Sequence, residues 1–193
     1  MEIKKTAKRI WRFLWYEDSL TSWIVSIVLA VLLIKFVVYP ALGLILGTRL
    51  PVVAVVSSSM EHNTRNFSLW WEKNKNFYEN LNISKEDFEN FIFANGFNKG
   101  DIIVLLGVKP EKLKVGDVIV FRGSLKNPII HRIVRKWQEN NSYYFQTKGD
   151  NNPASRNDEL RIGEKFIYGK AVARIPWLGW VKIIAIEMLK LVT

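Results

Sequence analysis

The sequence predicts a mainly β protein with an N-terminal transmembrane helix, an antiparallel and partly barrel-like domain, a small helical insertion and a C-terminal apolar helix. Three observations lead to this fold class. A long apolar segment precedes residue 46, several short β-branched runs follow residue 101, and apolar residues recur at helical spacing near the end of the chain. Short strands divided by Gly, Pro and Asn are typical of an antiparallel sheet that curls on itself.

Charge and composition narrow the class of protein. Lys and Arg outnumber Asp and Glu by 28 to 18 in a chain of 193 residues, and part of this excess lies close to the N-terminus, at Lys4, Lys5, Lys8, Arg9 and Arg12. Basic residues collect on the cytoplasmic side of a membrane helix, so we expect residues 1–18 to form a cytoplasmic N-terminus. We see no basic stripe interleaved with aromatic residues and therefore expect no nucleic-acid partner. The absence of cysteine excludes thiol catalysis and thiolate metal sites.

Residues 19–46 are predicted to anchor the protein in a membrane. Lys35 is the one charged residue between Thr21 and Leu46, and about 20 apolar residues suffice to cross a bilayer as a helix. A single span over roughly residues 20–38 places the rest of the chain on the extracytoplasmic side. Two alternatives stay open: a signal peptide removed near residues 41–43, and a buried helix of a soluble protein.

The segment after the anchor is predicted to contain a strand and an insertion. Residues 52–56 indicate a short buried strand, and residues 61–100 form a polar insertion rich in aromatic side chains. Within the insertion, Ser84 and Asp87 have the spacing of a helix N-terminus, which predicts a short helix over residues 81–93.

Residues 47–176 are predicted to form one domain that includes this insertion. Further strands are expected over residues 101–107, 117–121, 128–136, 142–148 and 165–175, with a turn at residues 139–141. In the tail, residues 177–193, apolar side chains share one helical stripe. We expect this tail to lie on the membrane surface as an amphipathic helix. A second membrane span from about residue 175 and an ordinary core helix are the alternatives.

Three short motifs in a fixed order indicate the chemistry: Ser59-Met60, His131-Arg132 and Gly149-Asp150-Asn151-Asn152. A serine, a histidine and an aspartate are the parts of a nucleophile, its general base and the carboxylate that orients the base. Each motif alone is common, but their order downstream of a membrane anchor is specific. Histidine titrates near neutral pH and accepts a serine proton without a large pKa shift. His62 is the other candidate base, and is otherwise expected to be a surface residue near the cleft.

These motifs lie in longer stretches that resemble the type I signal peptidases of the archaeal and endoplasmic-reticulum type. The resemblance extends from the anchor to about residue 180, and its stretches are Val55–Met60, Gly116–Phe121, Ile130–Val134, Thr147–Asn152 and Gly169–Gly179. The insertion is similar to archaeal members in particular. The resemblance implies a serine peptidase with Ser, His and Asp in place of the Ser-Lys pair of the bacterial branch.

The resemblance also implies roles for individual residues. Ser59 is the expected nucleophile and His131 the expected general base. We expect Asp158 to orient His131 and Asp150 to shape the turn and support the site, while a purely structural role for both aspartates stays open. The backbone N–H of Ser59 and the hydroxyl of Ser57 are expected to act as oxyanion donors.

The expected function is that of a membrane-anchored serine endopeptidase that cleaves N-terminal signal peptides from exported preproteins after small residues. Met60 is expected to line the substrate pocket, and no metal or cofactor is required. The expected partners are signal peptides, the lipid bilayer and the protein translocation channel, at the cell membrane if the chain is archaeal. Two alternatives stay open: a catalytically inactive membrane-anchored subunit of a translocation or processing complex, and a relative that processes itself or one specific target.

Overall fold

The computed structural model describes residues 2–62, 66–124, 127–181, 183–184 and 187–188. The chain divides into two compact units, residues 1–45 and residues 46–193. The first unit is helical, and the second contains the sheet and the insertion. Within the predicted C-terminal amphipathic helix (177–193), residues 182, 185–186 and 189–193 lie outside the described residues, so that helix stays a prediction.

The first unit consists of one helix, a short connection and a second helical run made of three consecutive elements. Helix α1 spans Glu2–Tyr16, α2 spans Leu20–Leu33, and a π-helical turn over Ile34–Val38 leads into α3 at Tyr39–Ile45. Proline at position 40 has no N–H to donate and its ring crowds the preceding turn, which explains why the hydrogen-bond pattern widens just before it. Among the described residues, the continuous helix over residues 20–45 is long and apolar enough to cross a membrane, as predicted.

The second unit is built on one seven-stranded antiparallel sheet. In chain order its strands are β1 (Val52–Ala54), β2 (Ile102–Leu106), β3 (Val118–Phe121), β4 (Ile129–Glu139), β5 (Ser142–Lys148), β6 (Ile162–Gly163) and β7 (Ile167–Ile175). They are arranged in the order β1-β2-β7-β3-β4-β5-β6. Register shifts in β2, β3 and β4 mark irregularities of the β-bulge type, which bend a strand and help the sheet curl into a half-barrel. The mainly β prediction is confirmed.

The hairpin between β4 and β5 is placed by its turn residues. Asn140 and Asn141 have φ angles of 48° and 59°, and asparagine adopts this left-handed conformation more readily than most residues. Two consecutive residues with positive φ match the twist of the flanking strands, so the turn sets the register of the hairpin. The sequence signal at residues 139–141 therefore predicted this connection correctly.

The insertion folds into two helices around an aromatic cluster. Helix α4 (Phe67–Glu79) was not predicted, and α5 (Lys85–Glu89) is shorter than the helix predicted over residues 81–93. Asn82 and Phe93 have positive φ angles, which end the helical path on both sides of α5. The predicted cap is present, since Ser84 and Asp87 form a reciprocal capping box. The buried side chains of the cluster are Trp70, Trp71, Tyr78, Ile83, Phe88 and, from β4, Val134.

Candidate active site

Ser59 lies on a short loop that follows β1. Beyond the strand, the N–H of Val55 donates to the Asp101 carbonyl at 2.9 Å, so the chain stays paired almost to the loop. Asn151 fixes the loop from the other side, because its backbone N–H donates to the Ser59 carbonyl at 2.8 Å and its side-chain amide donates to the Ser58 carbonyl at 3.1 Å. These hydrogen bonds connect the Ser59-Met60 motif to the Gly149–Asn152 motif.

Glycine at position 149 lets these segments approach closely. A Cβ atom there would lie 2.7 Å from Nε2 of His131 and 2.8 Å from the Ser59 carbonyl oxygen, and both distances are too short for a real side chain. The close approach therefore requires Gly149 and brings the turn, the serine loop and β4 together.

His131 connects Ser59 to a buried carboxylate. It lies on β4 opposite Ile119 of β3, and its Nε2 is 2.9 Å from Oγ of Ser59. Its Nδ1 is in hydrogen-bond contact with Oε1 of Glu159. When Nδ1 carries the proton and donates it to the carboxylate, Nε2 is free to accept the serine proton. This arrangement of serine, imidazole and carboxylate is the one that activates a serine nucleophile.

Glu159 is held in place by two further donors. The Thr147 hydroxyl donates to its Oε1 at 2.9 Å, and the backbone N–H of Arg156 donates to its Oε2 at 3.1 Å. The Glu159 side chain is completely buried. A buried carboxylate with both oxygens engaged keeps the imidazole beside it in one orientation and one tautomer.

The expected contact between Asp158 and His131 is not formed, and Glu159 takes that place. Asp158 accepts hydrogen bonds from the Ser124 backbone and pairs with Arg156 at 3.3 Å. Residues 157–159 form a 3₁₀ turn, in which successive side chains point about 120° apart, so adjacent carboxylates face different surroundings. The signal in the sequence is a second carboxylate, Glu159, directly beside the predicted one.

Asp150 belongs to a buried ion pair and not to the contacts of His131. Arg132 donates to both of its oxygens, at 2.9 and 2.7 Å, and uses its remaining N–H groups on the carbonyls of Ile92, Phe93 and Gly116. Burial raises the pKa of Asp150, but the charge of Arg132 and the hydrogen bonds outweigh it and lower that pKa to about 2. The pair connects β4 to the Gly149–Asn152 turn and, through the carbonyls of Ile92 and Phe93, to the insertion.

The insertion completes the surroundings of Asp150. Nε2 of His62 lies 3.1 Å from its Oδ2, and the His62 ring stacks on Trp70 with ring centroids 3.8 Å apart. His62 is therefore neither a surface residue nor a neighbour of the Ser59 hydroxyl. Lys148 is buried nearby, where its Nζ contacts the Tyr78 hydroxyl at 3.3 Å, and burial lowers the pKa of Lys148 to about 8. No signal in the sequence predicts that the insertion reaches this network.

The remaining two site predictions have different outcomes in the structure. The hydroxyl of Ser57 is exposed and lies 3.1 Å from Oγ of Ser59, which is compatible with a donor beside the nucleophile. Met60 has no exposed surface, and its sulfur accepts a hydrogen bond from the Asp150 N–H at 3.4 Å. Met60 therefore belongs to the core beneath the loop. Its side chain does not line a substrate pocket, contrary to the prediction.

The fold and the contacts define a serine-hydrolase type of site on a curled β-sheet, in a chain with a candidate membrane span. The chain is similar to proteins named signal peptidase complex catalytic subunit SEC11. It is 27% identical to that of Scheffersomyces stipitis over 159 residues, which cover 79% of this chain and 75% of the relative. No protein-family model matches the chain.

Two further relatives match a shorter region at higher identity. The SEC11 subunit of Verticillium alfalfae is 37% identical over 98 residues, covering 47% of this chain and 57% of the relative. Human SEC11C is 30% identical over 95 residues, covering 46% of this chain and 50% of the relative. In these matches the chain spans about half the length of the curated relatives. The three relatives are eukaryotic and confirm the resemblance to the endoplasmic-reticulum type, while the archaeal assignment stays a prediction.

Proposed function

We propose that this protein is a membrane-anchored serine endopeptidase that removes signal peptides from exported preproteins. The observation that carries the proposal is the contact between Ser59 Oγ and His131 Nε2 at 2.9 Å, with Glu159 on the other ring nitrogen. Its similarity to signal peptidase catalytic subunits supports the choice of substrate class.

The mechanism follows from the order of these contacts. Ser59 attacks the carbonyl carbon after the last residue of the signal peptide, and His131 accepts the serine proton. Glu159 stabilises the imidazolium that forms, because its carboxylate already contacts Nδ1. His131 then returns the proton to the leaving amine, and a water molecule, activated by the same imidazole, hydrolyses the acyl-enzyme. The Ser59 backbone N–H and the Ser57 hydroxyl are the proposed donors to the oxyanion.

The proposal assigns a role to each region of the chain. Residues 1–18 are the cytoplasmic basic segment, 19–46 the anchor, 47–176 the catalytic domain and 177–193 the interfacial helix. This topology places the catalytic domain on the extracytoplasmic side, where signal peptides end in small residues. Signal peptides and the bilayer are its proposed partners, together with the translocation channel that delivers the substrate.

Cleavage of a membrane-inserted preprotein by the full chain in liposomes tests the proposal. The wild-type protein is expected to cut after a small residue, and Ser59→Ala to lower the rate by about 10³-fold or more. Ser58→Ala is the matched control, because its hydroxyl lies on the same loop and is exposed, and we expect it to retain activity. A Ser59→Ala protein as active as wild type would overturn the proposal and favour an inactive subunit of a processing complex.

A further inference from the structure

A basic recess lies at the beginning of the second unit, and its lining includes none of the residues that contact the Ser59 hydroxyl. It encloses about 500 Å³, and its charged lining consists of Arg49, Arg122 and Lys165. All three side chains are exposed, and the aromatic ring of Phe166 beside them is 43% exposed. The proposed peptidase mechanism uses none of these residues.

Three separate segments of the chain converge to form the recess. The Thr48 hydroxyl donates to the Tyr168 carbonyl at 2.7 Å, which fastens the segment with Arg49 to β7. The backbone N–H of Arg122, just after β3, donates to the Phe166 carbonyl at 2.9 Å. The cations are therefore brought together by ordered backbone contacts between residues distant in sequence.

The positive charge of the recess is not paired with a carboxylate of the described residues. Within the described part of the chain, none of the three cations forms an ion pair. Two carboxylates nearby are engaged elsewhere: Glu164 accepts from the Tyr143 N–H at 2.8 Å, and Asp158 binds Ser124 and Arg156. Three uncompensated cations around one concavity attract an anion.

The position of the recess along the chain indicates which anion. Arg49 follows the last residue of the candidate span by four positions, so the connecting backbone extends at most about 14 Å. Guanidinium and ammonium groups bind phosphate oxygens, and an exposed phenylalanine beside basic residues is typical of segments that lie in the membrane interface. We propose that this recess binds the headgroup of an anionic phospholipid and thereby holds the catalytic domain at the bilayer surface.

Native mass spectrometry of the full chain tests this inference. The protein in a nonionic detergent is titrated with phosphatidylglycerol or with phosphatidylcholine of the same acyl chains, and the bound lipids are counted. We expect tighter binding of phosphatidylglycerol, and a roughly tenfold or greater rise in its Kd for the R49Q/R122Q/K165Q variant. The Kd of the double variant R122Q/K165Q is expected to lie between those of wild type and the triple variant. A graded loss of this kind distinguishes a binding effect from a folding defect in the triple variant.

The matched control removes three exposed lysines elsewhere, in the variant K73Q/K112Q/K114Q. It loses the same net charge and keeps the basic N-terminus, so its Kd is expected to stay within about twofold of wild type. The inference is overturned if the recess variants bind as tightly as wild type, if the control weakens equally, or if both lipids bind alike. Displacement of the lipid by millimolar inorganic phosphate would also overturn it in favour of a soluble ligand. The inference rests on the proposed membrane anchorage, but lipid counting does not depend on peptidase activity, so the two proposals can fail separately.

Discussion

The two faces of strand β4 carry two different polar networks. On one face, His131 contacts Ser59 and Glu159, and the serine is partly accessible. On the opposite face, the neighbouring Arg132 is fully buried and pairs with Asp150. Successive side chains of a strand point to opposite sides, so two adjacent residues are committed to different tasks.

The comparison shows how one strand can hold a reactive network on one face and a structural network on the other. The network of His131 includes a nucleophile and can move a proton. The network of Arg132 is closed, since its N–H groups are used on Asp150 and on backbone carbonyls of the insertion and of the loop before β3. A carboxylate in the first network is expected to affect the rate of cleavage, whereas one in the second is expected to affect stability.

The largest expected effect distinguishes the carboxylates of the 3₁₀ turn. Glu159→Gln is expected to lower kcat by about 10²–10⁴-fold, because an amide cannot stabilise the imidazolium and favours the wrong tautomer. Asp158→Asn, the matched control one residue away, is expected to stay within about threefold of wild type, because its ion pair with Arg156 is partly exposed. Steady-state cleavage of a preprotein measures both, and the reverse order would restore Asp158 as the orienting residue.

The second prediction concerns the stability of the closed network. Asp150→Asn leaves the buried Arg132 charge uncompensated and is expected to lower the free energy of unfolding by about 3–5 kcal/mol. Glu72→Gln breaks an exposed ion pair with Lys75 and is expected to change it by less than about 0.5 kcal/mol. Denaturation followed by tryptophan fluorescence in detergent compares the two variants. An Asp150→Asn protein with unchanged stability and abolished cleavage would place Asp150 among the catalytic residues.

A smaller effect on rate is expected from the proposed oxyanion donor. Ser57→Ala removes the hydroxyl that lies 3.1 Å from Ser59 Oγ, and should lower kcat by about 10–100-fold without changing KM, because an oxyanion donor acts in the transition state. Ser58→Ala again serves as the control on the same loop. An unchanged kcat for Ser57→Ala would leave the backbone N–H of Ser59 as the proposed donor.

The last prediction is a dependence of stability on alkaline pH. Burial lowers the pKa of Lys148 from 10.5 to about 8, so between these values the unfolded chain binds more protons than the folded chain. Stability should therefore rise with pH over that window, by up to about 3 kcal/mol from this group. Lys148→Met is expected to remove this rise and Lys73→Met, at an exposed position, to keep it. The free energy of unfolding is measured at pH 8 and at pH 10.5 for each protein. An equal change between the two pH values in wild type and Lys148→Met would contradict the prediction.

Sequence reasoning succeeded where local signals decide the outcome. The apolar anchor helix, the strands after residue 101 and the hairpin at Asn140 and Asn141 follow from composition, period and turn chemistry. It also paired Ser59 with His131, because the order of the motifs restricts which residues can meet. These features depend on short stretches of chain.

The sequence was less informative where long-range packing decides. Helix α4 was not predicted, because its aromatic residues are explained only by the cluster they join. Glu159 was missed because the direction of a side chain in a 3₁₀ turn depends on which neighbour buries it. The exposed position expected for His62 was wrong, because its ring lies against the buried side chains of Trp70 and Asp150.

Trapping the acyl-enzyme tests the central claim most directly. The full chain is mixed with an activated ester of a signal-peptide segment ending in alanine, quenched rapidly, digested and mapped by mass spectrometry. We expect the acyl group on the peptide that contains Ser59, its loss in Ser59→Ala and its retention in Ser58→Ala. An acyl group on any other residue, or equal labelling of Ser59→Ala, would contradict the assignment of Ser59 as the nucleophile.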